Sequence, residues 1–167
     1  MARPDERIVR SVRAADSMVS SLMPYHPMSE AEVRTFLTEL PARTAKLATV
    51  RPDGRPHIAP VWYDLDDDGS LVFNTGESTV KGRNIRREPR VSLCVDDDRP
   101  PFSFVVVEGV AALSDDLEEV RQWAARLGGR YTGAERAEEY GNRNGVAGEL
   151  VVRVRPERIV SAVDLAD

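Results

Sequence analysis

AKLATVRPDGRPHIAPVWYDLDDDGSLVFNT, residues 45–75, alternates apolar and polar positions and breaks the alternation twice with turn residues. AKLATV and RPHIAPVWYDL flank RPDGR, where Asp53-Gly54 supplies the positive backbone angle that a tight hairpin turn demands. DLDDDGS is a second turn and leads into LVFNT. On an extended backbone His57, Ala59, Val61 and Tyr63 face one way, and Ile58, Pro60 and Trp62 face the other. Proline cannot donate to a strand ladder, so Pro60 puts this segment at a sheet edge or a bulge. Small Ala59 beside Pro60 leaves room for a flat ring against the backbone, although a plain edge strand accounts for the same residues.

The hairpin pattern continues downstream. RVSLCV (90–95) and PFSFVVVEGVAAL (101–113) read as two strands around the turn DDDRPP, and ELVVRVRPERIVSAVDL (149–165) closes the chain with one or two more. Helices come between. Ser29 with Glu32 three residues later forms a capping box, and Val33, Phe36, Leu37 and Leu40 then make one apolar face that Pro41 ends. A short helix is expected over about Thr79–Glu88, stopped by Pro89. DDLEEVRQWAARL (115–127) is amphipathic, with Val120, Trp123, Ala124 and Leu127 inward. Residues 128–148 read as loop with a short helix. Residues 1–28 read as an N-terminal extension holding a helix around Ile8–Leu22, and 29–167 as one domain. Hairpins without regular βαβ alternation argue for a mainly β fold, an antiparallel barrel or closed curved sheet with peripheral helices.

At 167 residues, 41% hydrophobic and 31% charged, the chain suits one soluble globular domain with a real core. The first residues hold no apolar run like a signal-peptide core, and no segment approaches the roughly 20 apolar residues that span a bilayer. The cytoplasm is the expected compartment. Abundant Arg, Ala and Asp suit a high-GC, actinobacterial kind of genome. The lone Cys94, in VSLCV, excludes an internal disulfide and reads as a buried, inert thiol. Two histidines, His26 and His57, are too few and too far apart for a zinc site, so no metal is expected.

Two motifs fail on inspection. Asp64, Asp66, Asp68 and Gly69 match the start of a calcium loop, but the closing Glu is replaced by Thr75. GESTVKG lacks the Gly-Lys-Ser/Thr order of a nucleoside-triphosphate loop. The wider unit is more informative. Asn74–Arg90 carries Lys81, Arg83, Arg86, Arg87 and Arg90 against Glu77 and Glu88, a net +3 on a chain of net −5. Hydroxyls and free N–H groups at a helix start, with a lysine one turn in, make an anion seat. A solvated basic helix is the other reading of the same residues. Nucleic acid is disfavoured, because the protein is acidic and the patch has no interleaved aromatics.

Taken together, KLATVRPDGRPHIAPVWY, LVFNTGESTVKGRNIRREPRVSLCVDD and FVVVEGVAAL resemble the pyridoxamine-phosphate-oxidase-like split-barrel flavoproteins, closest to the branch using the deazaflavin coenzyme F420. The likeness covers about residues 29–113, with a weaker echo in VVRVRPERIVSAVDL. It implies a six-stranded antiparallel split β-barrel of the FMN-binding type, in a homodimer with the cofactor between subunits. By position, Thr75, Ser78, Thr79 and Lys81 would hold the cofactor phosphate, and Arg83 and Asn84 would support that loop. Ala59, Pro60, Val61 and Trp62 match the strand that carries the ring system, and Phe102 matches an aromatic given by the partner subunit. The chain lacks the C-terminal Trp and Arg-Leu-x-Pro of true pyridoxamine-phosphate oxidases, which speaks against vitamin B6 oxidation.

The expected function is therefore an F420-dependent oxidoreductase acting on a small organic substrate with an electron-poor double bond. An FMN-binding oxidoreductase and a non-catalytic flavin or haem carrier are the alternatives. The basic patch favours F420, whose phosphodiester and glutamate tail carry more negative charge than one phosphate. His57 and Tyr63 are the candidate proton donors.

Overall fold

The computed structural model describes residues 26–166; the helix expected at Ile8–Leu22 lies outside them. In chain order the elements are α1 (Glu30–Thr38), β1 (Ala45–Val50), β2 (Pro56–Val61), β3 (Asp64–Leu65), β4 (Leu71–Gly76), α2 (Val80–Arg87), β5 (Arg90–Asp97), β6 (Ser103–Ser114), α3 (Leu117–Thr132), α4 (Ala137–Asn144) and β7 (Glu149–Ala162). The strands form one antiparallel, curled sheet in the order β2-β1-β5-β6-β7-β4-β3. Six strands are long and β3 has only two residues, so the expected split barrel is present with a short seventh strand at one edge.

The elements follow from their residues. Ser29 and Glu32 form the expected capping box at α1, and Val33 and Leu37 are buried. Leu40 is not part of that face: the helix ends at Thr38, and Leu40 lies beyond it, 65% exposed. The hairpin β1–β2 turns at Gly54, which has φ 83°, and pairs Ala45 with Val61 through Val50 with Pro56. β2 is an edge strand, which is where its Pro56 and Pro60 can be tolerated. The closing segment forms a single long strand, β7, and a register shift in β6 at Glu108/Gly109 lets it follow the curl.

The sheet buries both faces. The concave face holds the main core, including Leu47, Tyr63, Phe73, Leu93, Val105 and Val152, closed by Leu37 of α1 and Ile85 of α2. On the other face Val72 of β4 and Val151 of β7 pack against Val120 and Trp123 of α3. Helix α3 runs five residues past the expected amphipathic stretch, and the region read as mostly loop folds back as a 3₁₀ turn (Ala134–Arg136) and α4. Gly128 permits this: a Cβ there would stand 2.3 Å from Tyr140 Cβ. Cys94 is half-buried rather than buried, and desolvation raises its thiol pKa, which keeps it protonated and unreactive. No helix among the described residues is long and apolar enough to cross a membrane.

Candidate functional site

The basic unit is built by local chemistry. β4 ends at Gly76, three residues turn the chain, and Thr79 caps α2. The Thr79 hydroxyl donates to the Gly76 carbonyl at 2.8 Å and accepts from the Gly82 N–H at 3.1 Å. The Thr75 hydroxyl lies 3.1 Å from it. Gly82 must be glycine, because a Cβ would sit 2.4 Å from the Gly76 carbonyl oxygen. Arg83 reaches back to the Ser78 carbonyl, and Arg86 pairs with Glu77 at 3.4 Å. Asn84 is 2% exposed and donates to Thr49 Oγ1 at 3.0 Å, tying the helix to β1 rather than to its own turn. Thr49 in turn lies 3.4 Å from His57 Nδ1. The hydroxyls of Thr75 and Thr79 thus spend part of their bonding on the turn itself. Among the described residues no hydrogen bond or ion pair engages Lys81.

Lys81 borders a cavity of about 280 Å³. Pro60, Val61 and Trp62 from the end of β2 line it, with Asn74 of β4, Ala124 and Leu127 of α3, and Asn144 of α4. Three residues of the expected ring-binding strand and the expected phosphate lysine therefore meet around one space. Ala59 faces the concave side with His57 and is half-buried, and Phe102 lies at the β5–β6 turn; neither lines this cavity. The Trp62 ring is held by the helices, stacked on Tyr131 at 4.9 Å and 2° and tilted against Tyr140 at 5.5 Å.

The model of the family described as pyridoxamine 5'-phosphate oxidase matches residues 29–161. The chain belongs to that family. Its relatives include the F420H(2)-dependent biliverdin reductase of Mycobacterium tuberculosis, 30% identical over 134 residues, 79% of this chain and 87% of that one. The 5a,11a-dehydrotetracycline/5a,11a-dehydrooxytetracycline reductase of Streptomyces rimosus is 29% identical over 123 residues, covering 70% and 71%. Both are named as reductases. Among solved structures, a conserved hypothetical protein of Mycobacterium tuberculosis superposes with a TM-score of 0.70 at 33% identity, covering 81% of this chain and 84% of that one.

Within this family member several lining residues had no signal in the sequence. Asn74 donates its Nδ2–H to the Val120 carbonyl at 3.0 Å, which leaves its buried Oδ1 without a partner. Asn74 and Asn144 meet at the cavity, and Tyr131 reaches Trp62, only because α3 and α4 fold over β4 and the end of β2. Tyr63 is fully buried, and its hydroxyl donates to the Leu37 carbonyl at 2.8 Å, on the α1 side. Burial raises its phenol pKa well above the ordinary value, so it stays neutral. Glu149, opposite Gly76 in the sheet, also has a raised pKa, because burial outweighs the attraction of Lys81.

Proposed function

We propose that this protein is an F420-dependent oxidoreductase that moves a hydride between the deazaflavin and a small organic substrate with an electron-poor double bond. The observation that carries this reading is the shared cavity: the end of β2 on one side and, on the other, Lys81, which no ion pair among the described residues engages. The donor set fits the group. Lys81 offers a point charge for a phosphate at the start of α2, where free N–H groups already favour an anion. Pro60 and Val61 offer a flat apolar backbone surface, and Trp62, locked against Tyr131, makes a rigid wall. The exposed Arg83, Arg86 and Arg87 add positive charge outside the cavity for the carboxylates of a longer tail.

When bound, the cofactor supplies the hydride and the protein supplies position and electrostatics. The Tyr63 hydroxyl is turned away to Leu37, and His57, on the concave side beside Thr49, does not line the cavity either, which favours solvent as the source of the proton. The relatives support the reading, since one is named F420H(2)-dependent and both are named reductases. The same proposal includes a homodimer with Phe102 contributed across the interface, and the cytoplasm as compartment. Light scattering at micromolar concentration is expected to return a dimer.

The test is equilibrium binding of F420 and FMN side by side by fluorescence. F420 is expected to bind more tightly. An FMN dissociation constant equal to or below that of F420 moves the assignment to an FMN enzyme. Tight F420 binding with no reduction across a broad panel of conjugated substrates moves it to a carrier.

A further inference from the structure

Beside the cavity lies a carboxylate that an anion-binding site does not need. Glu149 opens β7 and pairs with Gly76, the last residue of β4. Gly76 has no side chain, and a Cβ there would stand 3.1 Å from Glu149 Oε1 and 3.3 Å from Thr79 Cγ2. The carboxylate therefore lies directly over Gly76, against the turn into α2. It is on the sheet face that carries Asn74 two residues earlier, and Asn74 lines the cavity. Glu149 is half-buried, and none of the hydrogen bonds or ion pairs among the described residues reaches its carboxylate. The charged groups around it are few. Lys81 of α2 is the cation that acts on it, and Glu77 of the turn is drawn to Arg86 at 3.4 Å.

We propose that Glu149 is a specificity-determining residue, which makes this site prefer a singly charged phosphodiester to a doubly charged phosphomonoester. The inference rests on the cofactor reading above and deepens it. With Glu149 ionised, one negative charge already acts on Lys81 at longer range, without an ion-pair contact, before a ligand arrives. Each charge the ligand brings then meets the attraction of Lys81 and the repulsion of Glu149 together. A phosphodiester brings one. A phosphomonoester brings between about 1.5 and 2 at neutral pH, its second pKa being near 6; with attraction and repulsion offsetting each other for each charge, the larger cost of taking a dianion out of water is left uncompensated. In a half-buried site such a difference is not screened as it would be in bulk water. Burial raises the pKa of Glu149 more than Lys81 lowers it, so negative charge is poorly solvated at this position.

Glu149→Gln keeps the shape and removes the charge, and no hydrogen bond of the carboxylate is lost with it. At pH 8 the variant is expected to tighten FMN binding roughly tenfold and F420 binding by roughly a third as much, so that the ratio of the two constants shrinks. An unchanged ratio in Glu149→Gln, or one that widens, overturns the proposal. A second measurement does not use the ring system: amide shifts of Gly76, Thr79 and Gly82 during titration with dimethyl phosphate and with methyl phosphate. Wild type should respond to the diester at lower concentration, and Glu149→Gln should lose that preference. If the small anions behave so while neither F420 nor FMN binds, Glu149 discriminates and the deazaflavin reading falls. If F420 binds tightly and Glu149→Gln alters neither ratio, the deazaflavin reading stands and this one falls.

Discussion

Helix α2 and the α3–α4 hairpin lie on either side of one cavity, α2 contributing Lys81 and the hairpin Ala124, Leu127 and Asn144. They are held there by different means. The start of α2 is fixed within its own segment, where Thr79 caps it, Arg83 returns to Ser78 and Gly82 lets the first turn touch Gly76, while Asn84 and Arg87 tie its later turn to β1. The hairpin is fixed by partners 62 to 93 positions away: Arg126 to Asp64, Tyr131 to the backbone of Tyr63, and Arg130 to Leu37. A locally built element can carry an unpaired charge toward a ligand at little cost to the fold. An element built from distant contacts is part of the fold, and changing it should show first as instability.

The largest effect is expected where that second statement is tested most directly. In Gly128→Val even the first added atom would meet Tyr140 Cβ at 2.3 Å, so α3 and α4 must separate and Tyr140 must leave Trp62. A loss of about 3 kcal/mol is expected, the upper end for overpacking. Chemical denaturation measures it, and a variant as stable as wild type would show that the hairpin is not held by this close approach.

Lys81→Ala tests the other side. No hydrogen bond or ion pair among the described residues depends on Lys81, so the thermal midpoint should hardly move. F420 binding should weaken roughly ten- to a hundredfold, the value of a hydrogen bond to a charged group. Wild-type affinity in this variant, measured by fluorescence titration, places the anion elsewhere. Thr79→Ala should fall between the two classes. It removes the α2 cap and costs about 1 kcal/mol, seen as faster amide exchange at Gly82 and Arg83, with a modest loss of binding because the turn loosens.

The same contrast explains what could be read in the sequence. The hairpins, the capping box at Ser29 and the limits of α2 are each decided by a few adjacent residues, and all appear close to the expected places. Leu40 misled because the apolar period continued past the point where the backbone leaves the helix. The lining residues Asn74 and Asn144, and the Tyr131 ring that holds Trp62, could not be read locally. Nothing near Tyr131 indicates that it stacks on Trp62, 69 positions earlier in sequence; only the packing of α3 over the sheet brings them together. The stretch 128–148 is rich in Gly, Glu and Arg and gives little helical period of its own, so its helix depends on the face it covers.

The smallest expected effect separates the charge that matters from charge that is merely present. Arg87 ends α2, is exposed, and its guanidinium already donates to the Val50 carbonyl on β1. It does not line the cavity. Its distance from the start of the helix, about seven residues at 1.5 Å each, is roughly 10 Å, which matches the Debye length near 0.1 M salt. Arg87→Ala should therefore change F420 affinity by less than about twofold at physiological salt, and stability by no more than about 0.5 kcal/mol. At about 0.01 M salt the Debye length extends to roughly 30 Å, and the effect should grow. Titrating Lys81→Ala and Arg87→Ala at both ionic strengths makes the comparison complete. Lys81→Ala should keep most of its loss at either salt, because a contact charge inside a cavity is weakly screened, whereas Arg87→Ala should keep almost none. If the two variants lose affinity equally at physiological salt, the ligand is held by the field of the whole helix, and Lys81 is not the residue that distinguishes this side of the cavity from the other.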